Sequence, residues 1–552
     1  MRWDAVERRP WVWGLLLGAA HGVCFGVAFR PVAWWPMGLV SLAPLLALAW
    51  FACDARKAAL AVWATAFPAW FFYQRWLIDV TALGWPVLAA YLSLYPAAFV
   101  WLGVRLRRTR WVGERTRWWV LMALLWAGLE SLRAEVIFHG YAWYLIGELT
   151  LLGVVPTALV VSALTGSVLR SWRRGSTRLR WIGFGAVCAA SVLAAMVPGN
   201  LFPELDPRYL VVGVVQSNVP QSNKIAWGFE QKVKDFERMK SLTREAAAKG
   251  AEVIVWPETM FPGLALNAEA VEAERAARLT NPGGVASTVF YEDLLALQRE
   301  VGVPLIVGAI AAEGVRFIES ARGVEWKAER KFNSVFVVQD GAVDERRYDK
   351  MHLTPFGETM PYISWNKWLE GKLLALGAGG MKFDLSAGRD QMPLEVRPTK
   401  GRLAGETVRV ATPVCFEMTD AGLVRGLVDR GADLIVTVTN DGWFGPYAGG
   451  REEHVRAAAR RGWELGCVVV RAANTGVSAI MFGTWGVTLP PWTEGVLVER
   501  VSIPHSKRPQ LLGFSSWISP ACLAILGVGV AYASIGGRRR GAAAQPAAAA
   551  AG

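Results

Sequence analysis

The chain has 552 residues, 53% of them hydrophobic and only 19% charged, with a formal net charge of +13. That is too long for one ordinary core and too apolar for a soluble protein, so it reads as a membrane part joined to a globular part. The excess arginine lies in short clusters between apolar runs rather than on one folded face, which argues against a nucleic-acid binder.

Apolar stretches recur at about 11–29, 36–52, 58–78, 83–104, 118–138, 149–169, 181–198 and 517–535. Most approach the roughly 20 residues that a spanning helix needs. Eight spans, seven before the polar middle and one after it, return both termini to one side. Basic residues test that topology. Arg2, Arg8, Arg9, Arg56, Lys57, the clusters within 105–117 and 170–180, and the run 538–540 share that side, against Arg30 and Arg75 opposite. Both termini are therefore expected in the cytoplasm, with the polar middle outside. The first run is read as a retained helix, because FGVAFRPVAWW leads straight into the next apolar run without a small-residue cleavage site.

Glu130, Arg133 and Glu135, at the fifth stretch, are expected to form an interfacial ion pair; a polar lining for a lipid headgroup is the sharper reading. Trp34, Trp35, Trp70, Trp76, Trp85 and Trp143 lie near span ends and suit an aromatic belt. The expected domains are a membrane bundle over 1–200, an extracytoplasmic catalytic domain over 201–516, and a last helix with a disordered tail over 517–552.

From 201 onward short β-rich runs alternate with helical periodicity: YLVVGVVQS, a helix from FEQKVKDFERMK, AEVIVWPE, a helix from YEDLLALQREVG, PLIVGAI, KFNSVFVVQDG and VRVATPVCF. ADLIVTVTN, a helix from EEHVRAAARRGWELG, CVVVRAA, GVSAIMF and EGVLVERVSI follow. The alternation predicts a layered α/β domain with function at strand ends.

Cys415 and Cys467 are the cysteines of this middle segment, and neither they nor the five histidines show metal or disulfide spacing. Cys415 ends the run TVRVATPVCFEM, Glu258 follows AEVIVWPE, and Lys350 lies in YDKMHLTPFGE. A thiol is mostly protonated at neutral pH, so a nucleophilic cysteine needs a base. Glu258 is of the right type, and Lys350 would hold positive charge against the oxyanion formed when a carbonyl is attacked.

WPET, DKMHLTPFGE and PVCFEM resemble the motifs of the nitrilase superfamily, which uses Glu, Lys and Cys on an αββα sandwich. AYLSLYPAAF, VVGVVQSNVPQSNK, HLTPFGE, TNDGWFGP and ARRGWELGCVVVRAANTGVSA extend the resemblance to the membrane-embedded apolipoprotein N-acyltransferase branch over nearly the whole chain. That resemblance implies α/β plus membrane helices, with the sandwich inserted between the seventh and eighth spans. It implies that Cys415 takes an acyl chain from a membrane phospholipid as a thioester. The chain then passes to the α-amino group of a lipoprotein's N-terminal diacylglyceryl cysteine.

On the same match Glu258 is the base, Lys350 the electrostatic stabiliser, and Glu358 a further glutamate that positions the lysine or the amine. Glu417 matches another acid of the motif, and Phe416 stands where the family commonly has Tyr. Trp227 and Trp443, with Asn440 beside the latter, resemble substrate-contacting residues of the family's loops. No cofactor or metal is implied, and the enzyme is expected to work as a monomer in a bacterial inner membrane. An insertion around NAEAVEAERAARLTNPGG, between Glu258 and Lys350, is expected as a helical excursion.

The competing readings are a membrane-tethered amidase or nitrilase, in which water resolves the acyl-enzyme, and a non-catalytic lipoprotein-binding relative. A papain-like pairing of Cys415 with His352 or His454 has no supporting local context. A transporter is disfavoured because no internal repeat is evident.

Overall fold

The computed structural model describes residues 8–29, 34–79, 81–109, 115–149, 208–220, 227–320, 323–355, 357–359, 385–482, 485–503 and 515–542, with a few single positions between them. Two compact units emerge: Met1–Pro198, Tyr447–Gly450 and Phe514–Gly552 form one, Gly199–Pro446 and Arg451–Gly513 the other.

The first unit is helical. Pro10–Ala28 and the nearly continuous Gly84–Arg107 are long and apolar enough to cross a membrane, and Pro36–Phe51 and Ile518–Ser534 are shorter apolar helices. The expected stretches at 149–169 and 181–198 lie outside the described residues, apart from single positions. Gly14, Gly18, Gly22 and Gly26 recur every fourth residue and so share one face of Pro10–Ala28. A Cβ on Gly14 would sit 2.6 Å from that of Ala61, so the bare glycine lets the helix Ala55–Tyr73 approach.

The charges of the fifth stretch hold the loop beyond it. Arg133 donates to the carbonyls of Trp143 and Tyr144 at 2.9 and 3.1 Å, and Glu130 accepts from the Ile146 amide at 2.9 Å. Glu135 accepts from the Ser519 hydroxyl. Trp70, Trp76 and Trp143 are interior residues of this unit rather than a belt, whereas Trp34 is exposed.

The second unit holds two six-stranded sheets. The first uses β1 (Arg208–Gln216), β2 (Val253–Val255), β3 (Leu305–Glu313), β6 (Arg330–Gln339), β7 (Ala342–Asp349) and β14 (Gly495–Ile503). The second uses β8 (Leu394–Val396), β9 (Val408–Ala411), β10 (Leu434–Thr439), β11 (Val469–Ala473), β12 (Ser478–Phe482) and β13 (Trp485–Leu489). Between β3 and β6 in sequence, β4 (Arg316–Ser320) and β5 (Gly323–Lys327) form a separate hairpin. Strand order is β14-β1-β2-β3-β6-β7 in one sheet and β13-β12-β11-β10-β9-β8 in the other. β1, β2 and β3 run parallel, as do β9, β10 and β11, and the flanking strands are antiparallel.

Side-chain alternation builds the layers. Leu210, Val212, Val214, Val253 and Val255 enter one core with Val408, Val410, Val436 and Val438 of the facing sheet. On the opposite face Val215, Ile254, Trp256, Leu305 and Val307 pack with Phe236, Met239, Leu294 and Leu297 of the helices Phe229–Ala248 and Val289–Val301. Leu423, Val424 and Leu427 of Ala421–Asp429 and Ala458 of Ala448–Leu465 cover the second sheet. The result is the αββα sandwich, and a one-residue slip of any central strand would exchange its two buried faces. The insertion folds as the helix Ala268–Ala276, packed through Ala270 against Ala265 and Ala312.

Candidate active site

Four chain segments end together. Glu258 follows β2, Lys350 follows β7, Cys415 follows β9 and Asn440 follows β10. Val414 still bridges to Val438, continuing the β9–β10 pairing, and then the chain turns. Cys415 takes φ +51° and opens the short helical turn Cys415–Thr419. A left-handed non-glycine residue costs on the order of 1–3 kcal/mol and persists where its surroundings over-determine it. Thr259, beside Glu258, also has a positive φ, of +50°. β3 approaches that turn through Gly308, where a Cβ would lie 2.8 Å from the Glu258 Cα.

Glu258 and Lys350 are buried, and their charges are met. Glu258 Oε1 accepts from Asn333 Nδ2 at 2.6 Å, and Oε2 from the Asn440 amide at 2.8 Å. Lys350 Nζ is 2.7 Å from Glu358 Oε2 and 3.8 Å from Glu258 Oε1, and it donates to Thr354 Oγ1 at 3.4 Å. Its own amide donates to the Asn333 carbonyl and its carbonyl accepts from Gly388, both at 2.8 Å, which fixes where the side chain starts. Glu358 also accepts from the Thr354 amide at 2.8 Å.

One cation thus faces two carboxylates. At an effective dielectric near 20, ion pairs at such distances are worth on the order of 4–6 kcal/mol each before desolvation. Burial disfavours the Lys350 charge, but Glu358 and then Glu258 outweigh it and hold the ammonium well above its usual range. Burial raises Glu358, and Lys350 more than offsets this, leaving it below the usual carboxylate range. Cys415 goes the other way: burial and then Glu258 push the thiol up, against opposing help from Lys350 and a hydrogen bond with Thr439. Cys415 thus holds its proton more firmly than a free thiol, and any attack by its sulfur would require a base to take that proton.

Glu417 is a clamp. Its Oε1 accepts from the Met351 and His352 amides at 2.7 and 2.9 Å, and its Oε2 from the Val414 amide at 2.7 Å and the Tyr348 hydroxyl at 3.0 Å. One buried carboxylate joins the strand end that carries Lys350 to the turn that carries Cys415. Phe416 is buried and meets the His352 ring edge-on at 5.1 Å. Asn440 is buried, its side-chain oxygen accepting from Asn474 and Gly442 at 3.1 and 3.3 Å. Trp443 is 37% exposed, and Trp227 donates from its indole to Asp235 at 2.8 Å.

His352 Nδ1 lies 2.9 Å from Asp420 Oδ2, and His454 Nε2 bonds the Cys415 carbonyl at 2.8 Å. Sequence reasoning missed Asn333, Thr439, Asp441 and Arg471, and weighed His454 only as a papain-like partner of Cys415. The signal for Arg471 was a lone cation inside the apolar run CVVVRAA, since a charge in a buried strand requires a partner.

Two family profiles match the chain: Carbon-nitrogen hydrolase over residues 212–507, and Apolipoprotein N-acyltransferase N-terminal domain over residues 21–173. Curated relatives include an apolipoprotein N-acyltransferase of Gloeobacter violaceus, 28% identical and covering 98% of both chains. That of Ralstonia nicotianae is 28% identical over 96% of this chain and 94% of its own. That of Sinorhizobium medicae is 28% identical over 75% and 72%. Among solved structures, an amidase from Nesterenkonia sp. aligns at TM-score 0.32 and 14% identity, covering 56% of this chain and 94% of its own.

Proposed function

The chain belongs to the carbon-nitrogen hydrolase family and carries ahead of that domain the N-terminal domain of the apolipoprotein N-acyltransferases; from this premise we propose how it acts as the acyltransferase of lipoprotein maturation. The observation that carries the reading is the conjunction of both domains in one chain with relatives matched almost end to end. A hydrolase of small polar amides needs no such N-terminal domain, so the hydrolase and non-catalytic readings are not favoured.

In the proposed first half-reaction, Glu258 takes the Cys415 thiol proton as the sulfur attacks the ester carbonyl of a phospholipid. Lys350 faces the oxyanion with a charge that its two carboxylate neighbours keep in place. The carbon–oxygen ester bond then breaks, Glu258 returns the proton to the leaving alcohol, and a lysophospholipid departs from the thioester. In the second half-reaction the α-amine of a diacylglyceryl cysteine attacks the thioester carbonyl and loses its proton to Glu258. The thiolate leaves and recovers the proton, and the amide is formed.

A thioester acylates an amine without a nucleotide, which suits an outer face. With the donor already in the bilayer, proximity replaces diffusion. Eight spans, cytoplasmic termini and an extracytoplasmic catalytic domain are the proposed topology, supported by the one-sided arginine clusters. Glu358 is proposed to position Lys350, and Trp443 to contact lipid. The test is transfer to a diacylated lipopeptide from phospholipid by purified Cys415→Ala protein; wild-type rates there would end the proposal.

A further inference from the structure

Behind the nucleophile turn lies a buried polar chain. Arg471 Nη2 contacts both Asp441 oxygens, at 2.8 and 2.7 Å, and both side chains are fully buried. Asp441 Oδ1 is 3.3 Å from His454 Nδ1, and Arg471 Nη2 is 3.4 Å from the same nitrogen. On the far side of the imidazole, Nε2 reaches the Cys415 carbonyl at 2.8 Å. A carbonyl only accepts, so Nε2 carries the proton. Nδ1 has a carboxylate and a guanidinium within reach, so a complementary partner is present whether it donates or accepts.

We propose that Arg471, Asp441 and His454 form a positioning relay that locks the Cys415 carbonyl and thereby aims the sulfur at Glu258 and the substrate. His454 is the positioning residue that touches the turn; the other two fix its ring. The strained backbone of Cys415 is then gripped twice, by Glu417 at the Val414 amide and by His454 at the carbonyl of Cys415 itself. The same strand end serves the base. Thr439 donates to Asp441 at 3.1 Å and also partners the Cys415 sulfur, while the Asn440 amide binds Glu258. Three consecutive residues thus set sulfur, base and carbonyl anchor together, and an error in one would displace the others. Small misplacements of a nucleophile cost rate far more than binding, up to about 100-fold for 1 Å.

The relay rests on Cys415 as the nucleophile and holds whatever the acyl acceptor is. The test compares His454→Gln, which keeps a donor of similar reach, with His454→Leu and His454→Asn, which remove it or leave it short. All are full-length protein in detergent. Readouts are thioester formation from phospholipid and alkylation of Cys415 by iodoacetamide across pH, which needs no lipid. The expected result is a kcat for thioester formation roughly 10- to 100-fold lower in the Leu and Asn proteins, with KM within about 2-fold of wild type. The Gln protein should lie within about 5-fold, and the alkylation profile should be displaced in Leu and Asn alone. Should the Leu protein not fold, the Gln–Asn contrast carries the comparison. Wild-type kcat in Leu or Asn, or equal loss in all three tracking melting temperature, would overturn the relay. Failure of every protein, wild type included, to form a thioester while the alkylation contrast persists would count against the acyl donor and not the relay.

Discussion

The backbone amide of Asn440 donates to Oε2 of Glu258 at 2.8 Å while Asn333 occupies Oε1 at 2.6 Å, so both oxygens of the proposed base are held by donors on different sheets. A carboxylate satisfies both donors, whereas an amide has one oxygen for two. Glu258→Gln is therefore expected to lower thioester formation on the order of 100- to 10,000-fold. It also removes a negative charge that pushes the Cys415 thiol up, so iodoacetamide should alkylate Cys415 at lower pH than in wild type. Loss of acylation together with a profile shifted to higher pH would contradict the electrostatic account.

Lys350→Met leaves Glu258 and Glu358 buried without their cation. Stability should fall by about 3–5 kcal/mol, as when one partner of a buried pair is removed. The thiol, deprived of its favourable charge, should alkylate only at still higher pH. The sign is opposite to that for Glu258→Gln, and the same alkylation series by mass spectrometry reads both.

Glu417→Gln replaces an acceptor of four hydrogen bonds with a group that must oppose at least one donor. Each buried donor left unmet costs about 1–3 kcal/mol. The expected outcome is a lower thermal midpoint and a lower kcat with unchanged KM, since the clamp sets where Cys415 and Lys350 stand and touches no substrate. A change confined to KM would contradict this role.

Burial raises Asp441, but Arg471 first and then His454 outweigh it and leave the carboxyl well below its usual range. A depressed carboxylate stabilises the fold fully above its unfolded value, about 3.9, and that contribution is lost as pH falls through the folded value. Arg471→Met should therefore be less stable than wild type at neutral pH, with the gap narrowing below about pH 4. Thermal unfolding of both proteins across that range measures it; a gap that widens on acidification would contradict the pairing.

Much of this was legible in the chain, for identifiable reasons. The central strands are short β-branched runs whose alternation survives folding, so AEVIVWPE, ADLIVTVTN and CVVVRAA announce themselves. The hairpin β4–β5 and the edge strand β7 carry mixed polar sequences, where packing rather than pattern decides the conformation. Glu258, Lys350 and Cys415 were found through their flanking motifs, yet the relay was not. Asp441, His454 and Arg471 are 30 positions apart at most in sequence, but they meet only because β10, β11 and the helix between them pack side by side. Arg133 and Glu130 showed the same limit: their charges were visible, while the backbone groups they hold depend on how the loop returns.

The central claim is that Cys415 carries the acyl chain between donor and acceptor. Mass spectrometry of the purified protein after incubation with phospholipid alone tests it most directly. The account predicts a hydroxylamine-sensitive acyl adduct on the peptide containing Cys415, discharged quickly by a diacylated lipopeptide and slowly by water. An adduct discharged as fast by water as by the lipopeptide, or no adduct on Cys415 while transfer proceeds, would contradict it.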